Sequence, residues 1–238
     1  MKLGVIFLVI LVVILLYVVY QFSSGSATNL VKDITDGQTP TTINANDLPA
    51  GNTGSNFAYS IWFYINDWNV NYGQPKVLFV RKDAEDNESP AVVLGGFEND
   101  LNISMSVYPS KKMDSGETPI PRTCNVKNIP LQKWVNLIMS LNGRSLDIYL
   151  DGKLVRTCVL EGVPKVDPKA NIQLTPQGQG FDGFVSKFQF VSDSVNPQQA
   201  YNIYKKGYGG GGLGGMMDKY KVKVSYLVDN KEKSSFEI

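Results

Sequence analysis

Histidine is absent from the 238 residues of this chain. Because imidazole is the commonest general base and metal ligand, its absence excludes a Ser-His-Asp triad and the usual zinc-hydrolase sites. Net charge is nearly absent too, since 23 basic and 22 acidic side chains leave +1. That balance gives no electrostatic basis for binding nucleic acid, so we predict no nucleic-acid partner. We also predict no cofactor.

Long helical periodicities are missing after residue 25, whereas short alternating runs are frequent. The clearest run is "NFAYSIWFYI", which begins at Asn56. Five apolar side chains of that run share one face: Phe57, Tyr59, Ile61, Phe63 and Ile65. About ten such strands, bounded by Gly, Pro, Asn or Asp, predict an all-β sandwich or jelly roll.

Two turn signals, Asn142-Gly143 and Asp151-Gly152, predict a three-stranded meander, because both dipeptides suit two-residue hairpin turns. The predicted facing pairs are Met139 with Leu146, and Ile148 with Val155. In that register Val155 and Val159 lie on the apolar face, and Cys158 lies on the mixed face.

One helix is predicted late in the chain. Asn196 is a candidate N-cap, Pro197 suits the first turn, and Gly207 suits the C′ position. Residues 208–238 form a Gly-rich linker and a β tail. Two interpretations of the tail remain open, an added strand at the edge of the sandwich or a docking strand for another protein.

The N-terminal run from Leu3 to Tyr20 carries no charge. Eighteen helical residues span about 27 Å, close to the hydrocarbon thickness of a bilayer, so residues 1–22 are predicted to be a transmembrane signal-anchor. Residues 23–29 form a short stalk, and residues 30–207 the folded domain. Lys2 favours a cytosolic N-terminus for this single-pass membrane protein. The alternative is a cleaved signal peptide, whose apolar core is usually about 7–15 residues.

The chain from about Leu30 to Gly207 resembles the concanavalin A-like lectin/glucanase superfamily, in its laminin-G-like branch. The residues that carry the resemblance are "FAYSIWFYI", "KWVNLIMSLNGRSLDIYLDGKLV" and "FDGFVSKFQFVSDSVNPQQAYNIYKKG". The resemblance implies a jelly roll of two antiparallel sheets, and it leaves the function open.

A second resemblance rests on the architecture and on "NIPLQKWVNL", which begins at Asn128. The architecture, an N-terminal anchor before such a domain with a Gly-rich tail, and this segment are similar to those of membrane-anchored proteins of large DNA viruses of algae and protists. This resemblance implies a virion membrane or minor capsid component with capsid or neighbouring membrane proteins as partners.

A catalytic site, a metal site and a glycan site each require a different set of residues. Glucanases of the superfamily carry a Glu-x-Asp-x-Glu strand motif, which is missing here, so we predict no catalytic residue and no enzyme activity. The spacing of Asp67, Asn69 and Asn71 suggests a calcium loop, but a single charge favours an ordinary turn, and we predict no metal site.

A glycan site needs an aromatic platform, for which Trp68, Tyr72 and Tyr108 are the candidates. Trp62 and Trp134 are expected to pack within or on the sheets.

Cys124 and Cys158 are the only cysteines. Two thiols without histidine are too few for a metal site, and a redox pair is usually closer in sequence. Buried free thiols or one disulfide remain, and we predict the disulfide, in an oxidising compartment or through a dedicated viral oxidase.

These observations predict a membrane-anchored, non-enzymatic structural or interaction protein, and the second resemblance implies that it links a viral bilayer to its capsid. The alternative is a membrane-tethered, glycan-binding protein.

Overall fold

A computed structural model describes residues 10–16, 27–49, 56–109, 118–209, 223–228 and 231–237. Residues 10–16 form helix α1, Pro197–Lys205 form helix α2, and Ala45–Asp47 form one 3-10 turn. The strands in chain order are β1 (Thr28–Val31), β2 (Thr35–Asp36), β3 (Thr41–Ile43), β4 (Asn56–Asp67), β5 (Lys76–Lys82), β6 (Glu88–Leu94), β7 (Leu101–Pro109), β8 (Ile120–Val126), β9 (Trp134–Asn142), β10 (Ser145–Leu150), β11 (Lys153–Val159), β12 (Gly162–Pro164), β13 (Ile172–Leu174), β14 (Asp182–Val191), β15 (Lys223–Val228) and β16 (Lys231–Glu237).

Fourteen of these strands form two antiparallel seven-stranded sheets. Sheet A has the order β1-β14-β4-β9-β10-β11, and β2 also pairs with β14. Sheet B has the order β12-β7-β6-β5-β13-β3, and β8 also pairs with β7. The predicted all-β jelly-roll sandwich is therefore confirmed.

The core lies between the two sheets, and β4 contributes three of its buried aromatic side chains, Phe57, Tyr59 and Phe63. The five alternating residues predicted to share a face are each at most 2% exposed and belong to the main core cluster. Burying a large apolar side chain stabilises a fold by about 1.5–3 kcal/mol, so this one strand is a major determinant of stability. Its Tyr59 ring stacks on Phe188 of β14 at a centroid distance of 5.7 Å.

The meander forms, but its register differs from the prediction. Asn142 stays in β9 and the turn falls on Gly143-Arg144, so Met139 faces Ile148 instead of Leu146. The turn at Asp151-Gly152 is as predicted, but the register shifts by one residue between Ile148 and Tyr149.

This β-bulge reverses the faces of β11 beyond Val155, because one added residue moves every later side chain to the other side. Ile148 consequently faces Arg156, and Cys158 turns towards the core. Val155 is 46% exposed and Val159 is 71% exposed. The predicted placement of Val155, Cys158 and Val159 was wrong for this reason.

Helix α2 begins and ends as its capping residues predict. The side chain of Asn196 accepts from the backbone N–H of Gln199, and the Gln199 side chain accepts from the backbone N–H of Asn196. The buried face of the helix, Ala200 and Ile203, packs on the outer face of sheet A against Ala58 and neighbouring side chains. The mixed face of the meander is thus largely covered instead of solvated.

The two cysteines form the predicted disulfide, with a Cα–Cα distance of 6.1 Å. It does not lie on the mixed face of the meander, where Cys158 was predicted. Cys124 lies on β8 of sheet B and Cys158 on β11 of sheet A, so the bond joins the two sheets where both end.

The C-terminal strands β15 and β16 pair with each other. Within the part of the chain that the structure describes, neither pairs with a strand of the two larger sheets. Most of the predicted Gly-rich linker, residues 210–222, lies outside the described residues.

None of the helices described in the structure has the length and hydropathy needed to cross a bilayer. Apart from the helical residues 10–16, the predicted span from Leu3 to Tyr20 lies outside the described residues.

Candidate functional site

A shallow groove of about 550 Å³ lies on the outer face of sheet B, across β5 to β8. Side chains of a strand point alternately to the two faces of a sheet, and the groove is lined by those that point away from the core. Its floor is apolar and consists of Val77, Val80, Ala91 and Val93. Polar side chains also line it: Asn102, Ser104, Thr123, Gln179 and the ion pair of Lys82 with Glu88.

The polar side chains along the groove are short hydroxyls and amides. Ser104 Oγ and Thr123 Oγ1 lie 2.8 Å apart and are exposed, and Asn125 Nδ2 donates to Asn102 Oδ1 over 3.0 Å. Hydroxyls and amides both donate and accept, which matches the requirements of a ligand rich in hydroxyl groups. An apolar floor with a few polar groups is the usual composition of a small-ligand site.

Three loops meet at the Gly95-Gly96 end of the groove, around the fully buried Lys76. Its Nζ donates to the carbonyl oxygens of Asn71 (3.2 Å) and Gly96 (3.4 Å), and it lies 4.7 Å from the centre of the Trp68 ring. Burial lowers the pKa of Lys76. The side chain of Asn71 joins the third loop by donating to Gly180 O over 2.9 Å.

An exposed aromatic pair stands on these loops. Tyr72 is 62% exposed and Phe97 is 69% exposed, and their rings meet edge to face at a centroid distance of 5.6 Å. Phe97 directly follows Gly96, which lines the groove and accepts from the backbone N–H of Gly73 over 3.0 Å. The pair therefore stands beside the end of the groove. Sequence reasoning identified Tyr72 and missed Phe97, because a single aromatic in a short loop gives no pattern.

The other two predicted platform residues lie differently. Trp68 is half-buried against the core, under Lys76, and its Nε1 is buried without a hydrogen-bond partner, so it supports the loops instead of presenting a flat surface. Tyr108 lies near the opposite end of β7. It is seven residues from Leu101, which corresponds to a distance of roughly 23 Å from Leu101 along the strand. Tyr108 is 37% exposed and pairs with Val163 of β12, so it does not stand beside the Tyr72–Phe97 pair.

The calcium alternative is not favoured by the geometry of its loop. Asp67 uses both carboxylate oxygens to accept from Asn69, from its backbone N–H and its Nδ2, each over 3.0 Å. The described residues contain no group of three acids or thiols that could hold a metal ion.

The acidic loop Asp83–Glu88 is held against the fold by ion pairs with Lys165. Lys165 Nζ lies 2.6 Å from Asp83 Oδ2 and 2.8 Å from Glu85 Oε2. Burial by itself would raise the pKa of Asp83, but hydrogen bonds from Lys165, Asn87 and the backbone of Glu85 outweigh it and lower the pKa to about 2.

We expect Asp83→Asn to lower the melting temperature at neutral pH by about 3–12 °C, since a lost charged hydrogen bond costs about 1.5–3 kcal/mol and each kcal/mol shifts a domain of this size by about 2–4 °C. Because the pKa of Asp83 in the fold lies below its ordinary value of 3.8, the stabilisation is complete above about pH 4 and is lost as the pH falls towards 2. Melting curves between pH 7 and pH 2 test this. Asp86→Asn, on the same loop, should leave the curve unchanged. An equal acid dependence in Asp83→Asn and the parent would contradict the assignment.

The outer face of sheet A carries a second surface, which the sequence did not reveal. Phe184, Tyr64 and Trp134 are neighbours across β14, β4 and β9. From Trp134 the aromatic contacts continue over this face to the end of α2. We call this set the aromatic band: Phe184, Tyr64, Trp134, Tyr208, Trp62, Tyr204 and Tyr201.

The segment after α2 is fixed onto this face. Lys187 Nζ donates to the carbonyl oxygens of Lys206 (3.0 Å) and Gly207 (2.8 Å), and Ser186 Oγ donates to Tyr208 O (2.8 Å). The Tyr208 ring stacks on Trp134 at 4.5 Å with an interplanar angle of 10°. Burial, and then the charge of Lys206, lower the pKa of Lys187. Trp62 and Trp134 do pack on a sheet, as expected, but as parts of a continuous surface.

Comparisons with known proteins agree with this architecture. A family model described as the concanavalin A-like lectin/glucanases superfamily matches residues 35–200, more than half of the chain. None of the curated proteins that were compared matches the chain.

Solved structures with a similar fold include binding domains of botulinum neurotoxins. The serotype G binding domain has a TM-score of 0.53 and 12% identity, covering 77% of this chain and 47% of that chain. The serotype D domain in complex with N-acetylneuraminic acid has a TM-score of 0.54 and 13% identity, with coverages of 77% and 47%. The DC domain in complex with rat synaptotagmin II has a TM-score of 0.54 and 13% identity, with coverages of 77% and 48%. The chain thus spans about half the length of these structures, and at such identities the likeness concerns the fold alone.

Proposed function

Because this chain belongs to the concanavalin A-like lectin/glucanase superfamily, we propose that it is a non-enzymatic recognition domain that binds glycan and is held at a membrane. The observation that carries the proposal is the groove on sheet B, with its apolar floor and its row of hydroxyls and amides. The exposed Tyr72–Phe97 pair beside its end offers a ring surface on which a sugar can stack. The superfamily alone does not decide the ligand.

A binding role is favoured over hydrolysis by the residues of the chain itself. The Glu-x-Asp-x-Glu motif that pairs a nucleophile with an acid is missing from the sequence, and histidine is absent. The side chains that line the groove are chiefly uncharged, and its two charged groups, Lys82 and Glu88, neutralise each other over 3.0 Å.

The membrane attachment is proposed from the N-terminal run Leu3 to Tyr20. The helical residues 10–16 are all apolar, and each side chain is between 47% and 63% exposed. An exposed apolar helix is unfavourable in water and is stabilised by lipid, which supports a signal-anchor. In this proposal the N-terminus is cytosolic and the domain lies across the membrane.

We expect Ser104→Trp to abolish glycan binding at the groove without lowering the melting temperature by more than about 2–4 °C, the shift from roughly 1 kcal/mol. Ser104 is partly exposed and lines the groove, so an indole there fills space that a ligand needs. The measurement is a glycan array followed by titration of the best binder.

Thr42→Trp is the matched control, since Thr42 is exposed on β3, at the opposite edge of the same sheet. Equal binding by the parent and by both variants would place any glycan site elsewhere. A parent protein with no saturable binding to any glycan would refute the proposal.

A role as a virion membrane or minor capsid component is a second proposal. The observation that favours it is the hairpin of β15 and β16, whose strands pair with each other and not with the described strands of the sandwich. A separate hairpin has edges on which a partner protein could add a strand. Absence of glycan binding together with recovery of the protein in purified particles would favour this role.

A further inference from the structure

The chain enters the folded domain on the outer face of sheet A. Ala27 packs there against the cluster that contains Ala58, Ile138 and Val191, beside helix α2. Six residues separate Ala27 from Tyr20, the last residue of the predicted membrane span. A chain extends at most about 3.3–3.6 Å per residue, so this face begins within roughly 25 Å of the bilayer.

The same face carries the aromatic band, and its chemistry is that of a membrane interface. Tyr and Trp concentrate where the hydrocarbon meets the headgroups, because their rings are apolar and their N–H or O–H groups remain hydrated. Three members of the band are well exposed: Phe184 at 42%, Tyr201 at 46% and Tyr208 at 38%.

Basic side chains accompany these rings. Lys205 Nζ lies 5.5 Å from the centre of the Tyr201 ring, and Lys206 follows it at the end of α2. Lys133, which precedes Trp134, is instead paired with Asp151 over 3.1 Å. Lysines beside aromatic rings can extend their ammonium groups to lipid phosphates while their stems remain on apolar surface.

We propose that the outer face of sheet A, with the aromatic band and helix α2, lies against the phospholipid headgroups of the membrane that holds the chain. The inference rests on the proposed membrane attachment and adds an orientation to it. Because sheet B is on the other side of the core, its groove then faces away from the bilayer and is open to ligands.

Fluorescence quenching in vesicles tests the orientation on the full-length chain. An environment-sensitive fluorophore is attached to one new cysteine, either Gln198→Cys on α2 or Gln173→Cys on the outer face of sheet B; both positions are exposed, and both native cysteines are tied in the disulfide. The vesicles are phosphatidylcholine with a nitroxide on the headgroup. We expect several-fold stronger quenching at position 198 than at position 173. Equal quenching, or stronger quenching at position 173, would overturn the orientation.

Two further comparisons complete the experiment. Phe184→Ser combined with Tyr201→Ser should reduce the quenching at position 198, whereas Tyr72→Ser combined with Phe97→Ser, an aromatic pair that is more exposed, should leave it unchanged. Washing the vesicles with alkaline carbonate separates the two proposals. Retained protein with equal quenching refutes the orientation alone, whereas protein released by the wash refutes the membrane attachment and the orientation with it.

Discussion

Replacing both cysteines, Cys124→Ala with Cys158→Ala, is expected to lower the melting temperature of the domain by about 10 °C. The bond closes a loop with a sequence separation of 34. Closing such a loop in the unfolded chain is worth roughly 3–4 kcal/mol, and each kcal/mol shifts a domain of this size by about 2–4 °C. Cys124 is also 1% exposed within the core, so the smaller alanine leaves a cavity that adds to the loss.

Calorimetry in the presence and absence of a reductant tests this prediction. Reduction should bring the parent protein close to the melting temperature of the double variant, and the variant itself should not respond to the reductant. Alkylation of the unreduced parent should add no mass. A double variant that melts within about 2 °C of the parent would show that the bond contributes little to stability.

Gly183→Ala is expected to destabilise sheet A by at least about 3 kcal/mol, the sum of backbone strain and overpacking. Gly183 lies on β14 opposite Ile65 with φ of +154°, and a Cβ there would overlap the carbonyl oxygen of Tyr64 on the adjacent strand. The two strands would have to separate at the Phe184–Tyr64 contact where the aromatic band begins. Urea unfolding followed by circular dichroism measures the loss.

Gly143→Ala provides the matched control. Gly143 also has a positive φ, +57°, but a Cβ there meets no atom within 4 Å, so only the backbone strain of about 1 kcal/mol applies. If the two variants lost the same stability, the close approach of β14 to β4 would not be the cause.

The features that the sequence predicted correctly are those that local chemistry determines. The alternation in β4 defines its core face, because side chains of a strand point to opposite sides in turn. The Asn196 cap with Pro197 defines the start of α2 in the same way. The family resemblance, carried by three separated segments, predicted the two-sheet sandwich.

The features that were missed depend on contacts between distant parts of the chain. The bulge at Val155 arises from the pairing of β11 with β10, and the residues around Val155 do not reveal it in the sequence. The bulge nevertheless turns Cys158 towards the core, where it bonds to Cys124 of the other sheet. Phe97 gains its significance only because Gly73 brings the loop of Tyr72 beside it. The aromatic band joins Tyr64 to Tyr208 through Trp134, and no sequence window contains all three.

The disulfide also has a mechanical consequence. If the domain is tethered through β1 and holds its ligand on sheet B, a pulling force enters through one sheet and leaves through the other. Packed apolar side chains resist such shear weakly, since their contacts are short-ranged and non-directional. The covalent link from Cys124 on β8 to Cys158 on β11 prevents the sheets from sliding apart along that edge. Under load, the oxidised domain would therefore keep its groove intact at forces at which the reduced domain opens.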